Sequence, residues 1–183
     1  MPKIVTVEQM HMLESEAVSC GVSYHHMMEM AGSAVFDNIC ARITDVSSKS
    51  FVVVAGPGNN GGDGFVVARL LAASGASVNV FTINTTDNNA DNKQKALLAG
   101  ATVITPEDDY EMETYTREIR RADVFIDAIF GTGARVPLKS VAAKMLGIAS
   151  VELDGREVLR VAVDCPSGLD CDTGGSLVAP CSI

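Results

Sequence analysis

The chain has 183 residues, enough for one domain with a full hydrophobic core. Its hydrophobic content of 47% against 20% charged residues fits a globule and excludes a disordered chain. The formal net charge of −9 argues against a general nucleic-acid or anionic-membrane surface, which needs clustered Lys and Arg. It leaves room for a nucleotide, because backbone N–H groups can hold phosphates without net positive charge.

The five cysteines are Cys20, Cys40, Cys165, Cys171 and Cys181. An odd count without C-x-x-C points to neither a zinc site nor a disulfide framework, and a reducing compartment, the cytoplasm, is the simplest setting. No run reaches the length of a membrane span, and the N terminus has no signal or transit pattern.

Thr6-Val7-Glu8-Gln9 reads as a capping box opening a helix to about Ser19, with Gly21 ending it. Ser23 caps a second helix to about Ile43. Its Met27, Met28, Ala31, Val35 and Ile39 recur at helical spacing and are expected to pack in the core. His11, His25 and His26 lie on these helices without a third ligand in view, so no metal site is expected from them. A polar connector then leads into strictly alternating elements. These are strand 51–55, helix 62–74, strand 77–83, helix 89–99 and strand 102–105, then a helix from Thr105-Pro106 to about Arg121. Strand 123–129, helix 139–153 and strand 158–163 complete the series. Repeated β-α-β units predict an α/β, Rossmann-like fold. It has a mostly parallel sheet, helices on both faces and two extra N-terminal helices, all within one domain over 1–183.

The stretch of most interest joins the first strand to its helix. After the apolar run Phe51 to Ala55, Gly56, Gly58 and Gly61 match the G-x-G-x-x-G spacing, which suits close approach to a pyrophosphate at a helix N terminus. The same spacing also serves a plain tight turn. Asn59, Asn60 and Asp63 are more than a phosphate loop needs, and no Gly-Lys-Ser/Thr follows. The next strand ends in Asn84-Thr85-Thr86, with no carboxylate where a dehydrogenase holds the ribose. Two further polar clusters close strands: Asp127 with Gly131-Thr132-Gly133, and Asp164 with Ser167. Asp127 lies within an apolar strand, so its carboxylate should be paired, hydrogen-bonded or bound to a cation. Asp164 is either an Asx-type turn residue or a general acid/base at the cleft floor. Asn60, Asp127 and Ser167 offer oxygens that suit a hard cation.

Five segments together resemble the YjeF N-terminal domain family, the NAD(P)H-hydrate epimerases. They are Thr-Val-Glu-Gln-Met at 6–10, Met-Met-Glu-Met-Ala-Gly at 27–32, the glycine-rich stretch at 53–69, Asp-Ala-Ile-Phe-Gly-Thr-Gly at 127–133 and Val-Asp-Cys-Pro-Ser-Gly-Leu-Asp at 163–170. The resemblance implies interconversion of the R and S epimers of hydrated NADH or NADPH at C6, serving a separate dehydratase that consumes the S form, often in a homodimer. It implies that Asn59, Asn60, Gly61, Gly62 and Asp63 line the substrate together with Gly131, Thr132, Gly133, Ala134, Arg135, Val136 and Pro137. Asp164 is the implied acid/base, and Asn60, Asp127 and Ser167 the implied potassium ligands. The chain departs from the family at Met30, usually Asn, and in its short ending, Leu-Val-Ala-Pro-Cys-Ser-Ile. That ending predicts an exposed sheet edge. The competing expectations are a non-catalytic nucleotide-binding or scaffold module of the same fold, an inactive truncated form, and an ordinary dehydrogenase, which the missing ribose carboxylate disfavours.

Overall fold

The computed structural model describes residues 4–84, 89–132 and 141–175. In chain order the elements are helices α1 (Val7–Ser19) and α2 (Tyr24–Arg42), strand β1 (Ser50–Ala55), α3 (Asn59–Ala73), β2 (Ser77–Thr82), α4 (Ala90–Leu98) and β3 (Thr102–Ile104). Then come α5 (Glu113–Arg121), β4 (Val124–Ala128), α6 (Val141–Leu153) and β5 (Leu159–Ala162). The strands form one parallel sheet in the order β3-β2-β1-β4-β5.

The period-two geometry of β1 assigns its residues to two cores. Phe51, Val53 and Ala55 face α2, α3 and α4, where they meet Ile39, Phe65, Leu71 and Ala96. Val52 and Val54 face α5 and α6, where they meet Tyr115, Ile119, Met145 and Leu153. A strand buried on both faces must be apolar throughout, which is why β1 reads as a continuous run. The chain winds outward from β1 to β3, then crosses back to β4 on the other side of β1. The strand order therefore reverses between β1 and β4, and the crevice at their carboxyl ends is where such sheets bind ligands.

The capping box of α1 forms as expected: Gln9 N donates to Thr6 Oγ1 and Thr6 N donates to Gln9 Oε1. Ser23 Oγ caps α2 through His26 N. Two helix starts differ from expectation. The Thr105-Pro106 signal makes a turn instead, because Asp108 takes up the Thr105 N–H and hydroxyl. Helix α5 begins at Glu113, where the Asp109 carboxylate accepts from Thr114 N and Tyr115 N. Helix α3 begins at Asn59, three residues before the expected start, so the asparagine pair lies in the helix. The expected core face of α2 is only partly internal. Ile39 and Gly32 are buried, Met27, Met28 and Val35 are half-buried, and Ala31 is exposed.

Cys165 and Cys171 are joined sulfur to sulfur, where the cysteine spacing predicted no disulfide. The turn closed by Leu169 N on Pro166 O brings the two positions back together. Among the described residues β5 is the outer strand on its side. A hollow of about 350 Å³ lies between it and α2, lined by Val35, Ile39, Leu159 and Val161.

The glycines of α3 pack the helix onto the sheet. A β-carbon on Gly64 would stand 2.5 Å from the Ala128 β-carbon, and Ala128 sits on a buried strand that cannot retreat. Alanine is the better helix former by about 1 kcal/mol, but overpacking at a fixed contact costs about 1–3 kcal/mol. Gly64→Ala is therefore expected to lower stability despite its propensity, read as a reduced urea midpoint at unchanged m-value.

Candidate active site

The crevice is built by three strand-end loops in contact. The turn after β1 is seated on the end of β4: Gly56 N donates to Ala128 O at 3.0 Å, and a β-carbon on Gly56 would overlap the Ile129 carbonyl oxygen. Gly61 lies against the Gly56 carbonyl just as closely. None of Gly56, Gly58 or Gly61 takes a positive φ, so Gly56 and Gly61 are needed for space rather than for backbone freedom, while Gly58 faces open space. Gly58 is the N-cap of α3 and has no side chain to cap it, which leaves the first-turn N–H groups, at Asn59 and Asn60, without a capping side chain.

Asp127, near the carboxyl end of β4, is fully buried and accepts three hydrogen bonds, one short of the four a carboxylate can take. Oδ1 accepts from Ile129 N at 3.2 Å and from the Ser167 hydroxyl at 2.6 Å, and Oδ2 accepts from Ser167 N at 2.8 Å. Burial pushes its carboxyl above the ordinary range and these hydrogen bonds pull it back. Ser167 Oγ also accepts from Phe130 N at 2.9 Å, so Asp127 and Ser167 tie the loops after β4 and β5 together.

Asn60 contrasts with both. It is 8% exposed, and neither its Oδ1 nor its Nδ2 has a hydrogen-bond partner. An orphaned buried amide needs a polar partner. An oxygen-seeking cation is one partner that fits an amide, a carboxylate and a hydroxyl, so the implied potassium ligands suit their role chemically. No cluster of three or more His, Cys, Asp or Glu suited to a metal occurs among the described residues.

Asp164 follows β5 and takes a left-handed φ of 63°, rare for a residue with a β-carbon. This conformation carries its side chain onto the loop after β4. Thr132 N donates to Oδ2 at 2.7 Å, and Gly131 lies so close that a β-carbon there would overlap the same oxygen. The residue is exposed, and among the described residues Oδ1 accepts no hydrogen bond. One oxygen is thus fixed and the other is available to a reacting group. Asp63, on α3, faces Asp164 and also Glu14 of α1, and burial together with these two carboxylates pushes its carboxyl up to about 7. A cavity of about 100 Å³ beside it is lined by Asn59, Asp63, Glu14, Tyr24, Met27 and Met28. Met27 and Met28 therefore line the site rather than fill the core.

Of the expected site residues, the structure brings Asn59 to Asp63, Asp127, Gly131, Thr132, Asp164 and Ser167 to one crevice. Gly133, Ala134, Arg135, Val136 and Pro137 lie outside the described residues. Sequence reading missed Glu14, Met28 and Asn89. Met28 crowds Gly62, and Asn89 donates to the glycine turn. Their only sequence signal was polar or sulfur residues on helices next to the loop.

A family model described as YjeF-related protein N-terminus matches residues 24–182. The chain belongs to this YjeF-related family. Relatives include the bifunctional NAD(P)H-hydrate repair enzyme Nnr of Thermofilum pendens, 37% identical over 177 residues. That match covers 94% of this chain, which spans only 32% of the relative's length. The NAD(P)H-hydrate epimerase of Rhodobacter capsulatus is 34% identical over 200 residues, covering 100% of this chain and 87% of the relative. Among solved structures, yeast ynu0, YNL200c, superposes with a TM-score of 0.84 at 25% identity, covering 98% of this chain and 76% of that one. Among the described residues, the YjeF-related fold of this chain is thus a five-stranded parallel Rossmann-like sheet with helices on both faces.

The Asp63 carboxyl gives the fold a pH signature. Unfolded, it titrates near the ordinary aspartate value of 3.8, and folded at about 7, so the folded state binds the extra proton. Stability is expected to fall as pH rises through that window and to level off above it. Asp63→Asn should remove this slope and exceed the parent protein in urea midpoint at about pH 8, with the difference closing below about pH 4.

Proposed function

We propose that this chain is an NAD(P)H-hydrate epimerase with Asp164 as its general acid/base. The reading is carried by one juxtaposition: a helix N terminus with no side-chain cap and a carboxylate with one fixed and one free oxygen share a crevice at the strand-order reversal. The names of the relatives support the same reaction. The first turn of α3, Asn59 to Asp63, binds the pyrophosphate through N–H groups and the helix dipole. Gly131 and Thr132 bound the substrate on the opposite side.

In the reaction, Asp164 gives a proton to the C6 hydroxyl of the hydrated ring. The C6–O bond breaks as the ring nitrogen donates its lone pair, releasing water and leaving a planar iminium. Water then adds to C6 from the other face and its proton returns to Asp164, so that proton and water both balance. Asn60, Asp127 and Ser167 would hold a potassium ion, which when bound supplies positive charge that offsets the pyrophosphate in this acidic chain. The product epimer is consumed by a dehydratase, consistent with the fused repair enzymes named among the relatives. We also propose a cytoplasmic setting, where the soluble cofactor pool would supply the hydrate.

A homodimer is proposed on a separate observation. Helix α1 buries none of its side chains, and Met10, Leu13 and Val18 are exposed along it, beside exposed Tyr24 and Met30 of α2. Such residues are more readily explained by a partner surface than by solvent.

The deciding assay mixes R-configured hydrated NADH with an S-specific dehydratase and follows the regain of NADH absorbance. The protein should accelerate this over the spontaneous rate, more so with potassium, and Asp164→Asn should reduce the acceleration by roughly 100-fold or more. A folded protein that binds the dinucleotide without acceleration would assign it to the non-catalytic class. For the dimer, Leu13→Glu is expected to convert the species seen by light scattering to a monomer at unchanged circular dichroism.

A further inference from the structure

The N terminus of α3 lacks the usual stabilising device. A helix start is normally held by an N-cap side chain that accepts from a first-turn N–H. Here the N-cap is Gly58, and an acceptor in that place would occupy the donors a pyrophosphate needs. Something else must hold the turn.

Asn89, at the N terminus of α4, is 2% exposed. Its Nδ2 donates to Gly58 O at 3.0 Å and, more weakly, to Gly56 O at 3.4 Å. The Gly58 carbonyl also accepts the first helical bond, from Gly62 N at 3.2 Å. The amide orientation is dictated by chemistry, because the reverse would set Oδ1 against two carbonyl oxygens. In this orientation Oδ1 is buried without a partner, 2.9 Å from where a Gly62 β-carbon would stand. The protein tolerates an orphaned oxygen in order to keep the Nδ2 bonds. Asn89 thus grips the turn from behind, by its carbonyls, and leaves its N–H groups facing the crevice.

We propose that Asn89 is a positioning residue for dinucleotide binding, acting through the Gly56 and Gly58 carbonyls to hold the α3 N terminus ready for the pyrophosphate. This rests on the epimerase reading for the identity of the substrate, but the positioning itself is measurable without turnover. It touches neither the reacting carbon nor the proposed cation ligands.

Three variants test it. Asn89→Asp keeps shape but replaces the donor with a third acceptor facing the carbonyls. Asn89→Ala removes the grip. Ala96→Gly removes a buried core methyl group and weakens α4 without touching the turn, and serves as the control for general destabilisation. Hydrogen exchange of the peptide covering 56–64 is read on ligand-free protein. NAD+ affinity is read by calorimetry and KM against kcat by the coupled assay. Exchange in 56–64 should rise in both Asn89 variants and stay at the parent level in Ala96→Gly. NAD+ affinity should weaken about tenfold with KM rising in step and kcat nearly constant, as expected for loss of one buried hydrogen bond.

Parent-level exchange and NAD+ affinity in folded Asn89→Ala, or an equal exchange rise in Ala96→Gly, would overturn the proposal. If the parent protein binds NAD+ but does not turn over hydrate, the epimerase reading fails and the affinity comparison still decides this one. If the parent does not bind NAD+, the exchange comparison decides it.

Discussion

The whole site depends on how closely the turn after β1 can approach the end of β4. Gly56 is hydrogen-bonded to Ala128 and pressed on the Ile129 carbonyl, Gly61 rests on the Gly56 carbonyl, and Gly64 rests on Ala128. Each contact is between main-chain atoms or a methyl group, so the approach is set by backbone thickness. The missing β-carbons at Gly56 in the turn and at Gly61 and Gly64 on the helix let the N terminus of α3 come down onto the strand ends. Asp127, directly beneath, is then cut off from water and must be satisfied by protein donors. Ser167 supplies two of the three, and this fixes the loop that begins with Asp164.

The electrostatics follow from the same compression. Three carboxylates gather around a helix N terminus, and among the described residues no lysine or arginine offsets the charge on Asp63. The positive end of the α3 dipole and its free N–H groups are the local compensation. An anionic ligand approaching such a site must bind through backbone donors, and a cation held at Asn60 would reinforce them. The overall acidity of the chain is therefore compatible with binding a pyrophosphate.

Much of this was legible in the sequence because it rests on local patterns. Strand runs, helix caps and alternation fixed the element order, and the continuous apolar run of β1 already implied burial on both faces. The segments around Asn60, Asp127 and Asp164 were singled out by polar residues at strand carboxyl ends, although Asp164 also read as an Asx-type turn residue. What could not be read was anything set by contact across the sheet. Helix α3 begins at Asn59 because Gly58 and the turn beneath it allow this, and the glycine spacing alone suggested a loop there. Helix α5 begins late because two aspartates compete for donors, one closing a turn and the other capping the helix. Asn89 is far from the glycine turn in sequence and has no motif of its own. Met28 followed the helical period of a core residue, and its place against Gly62 depends on how α2 crosses α3.

Helix α1 gives the site an uneven rigidity. It buries no side chain, and its start is moored by Val7 N on the Asp172 carboxylate. Within a single protomer, detaching it would leave both cores intact, so its opening is expected to cost far less than global unfolding, and a dimer through α1 would raise that cost. Yet it carries Glu14, one wall of the cavity beside Asp63. The floor of the crevice thus belongs to the most cooperative part of the molecule and one of its walls to the least. Lifting that wall removes a negative charge from Asp63 and widens the cavity in a single motion, so the protonation of the site and its accessibility are thermodynamically linked.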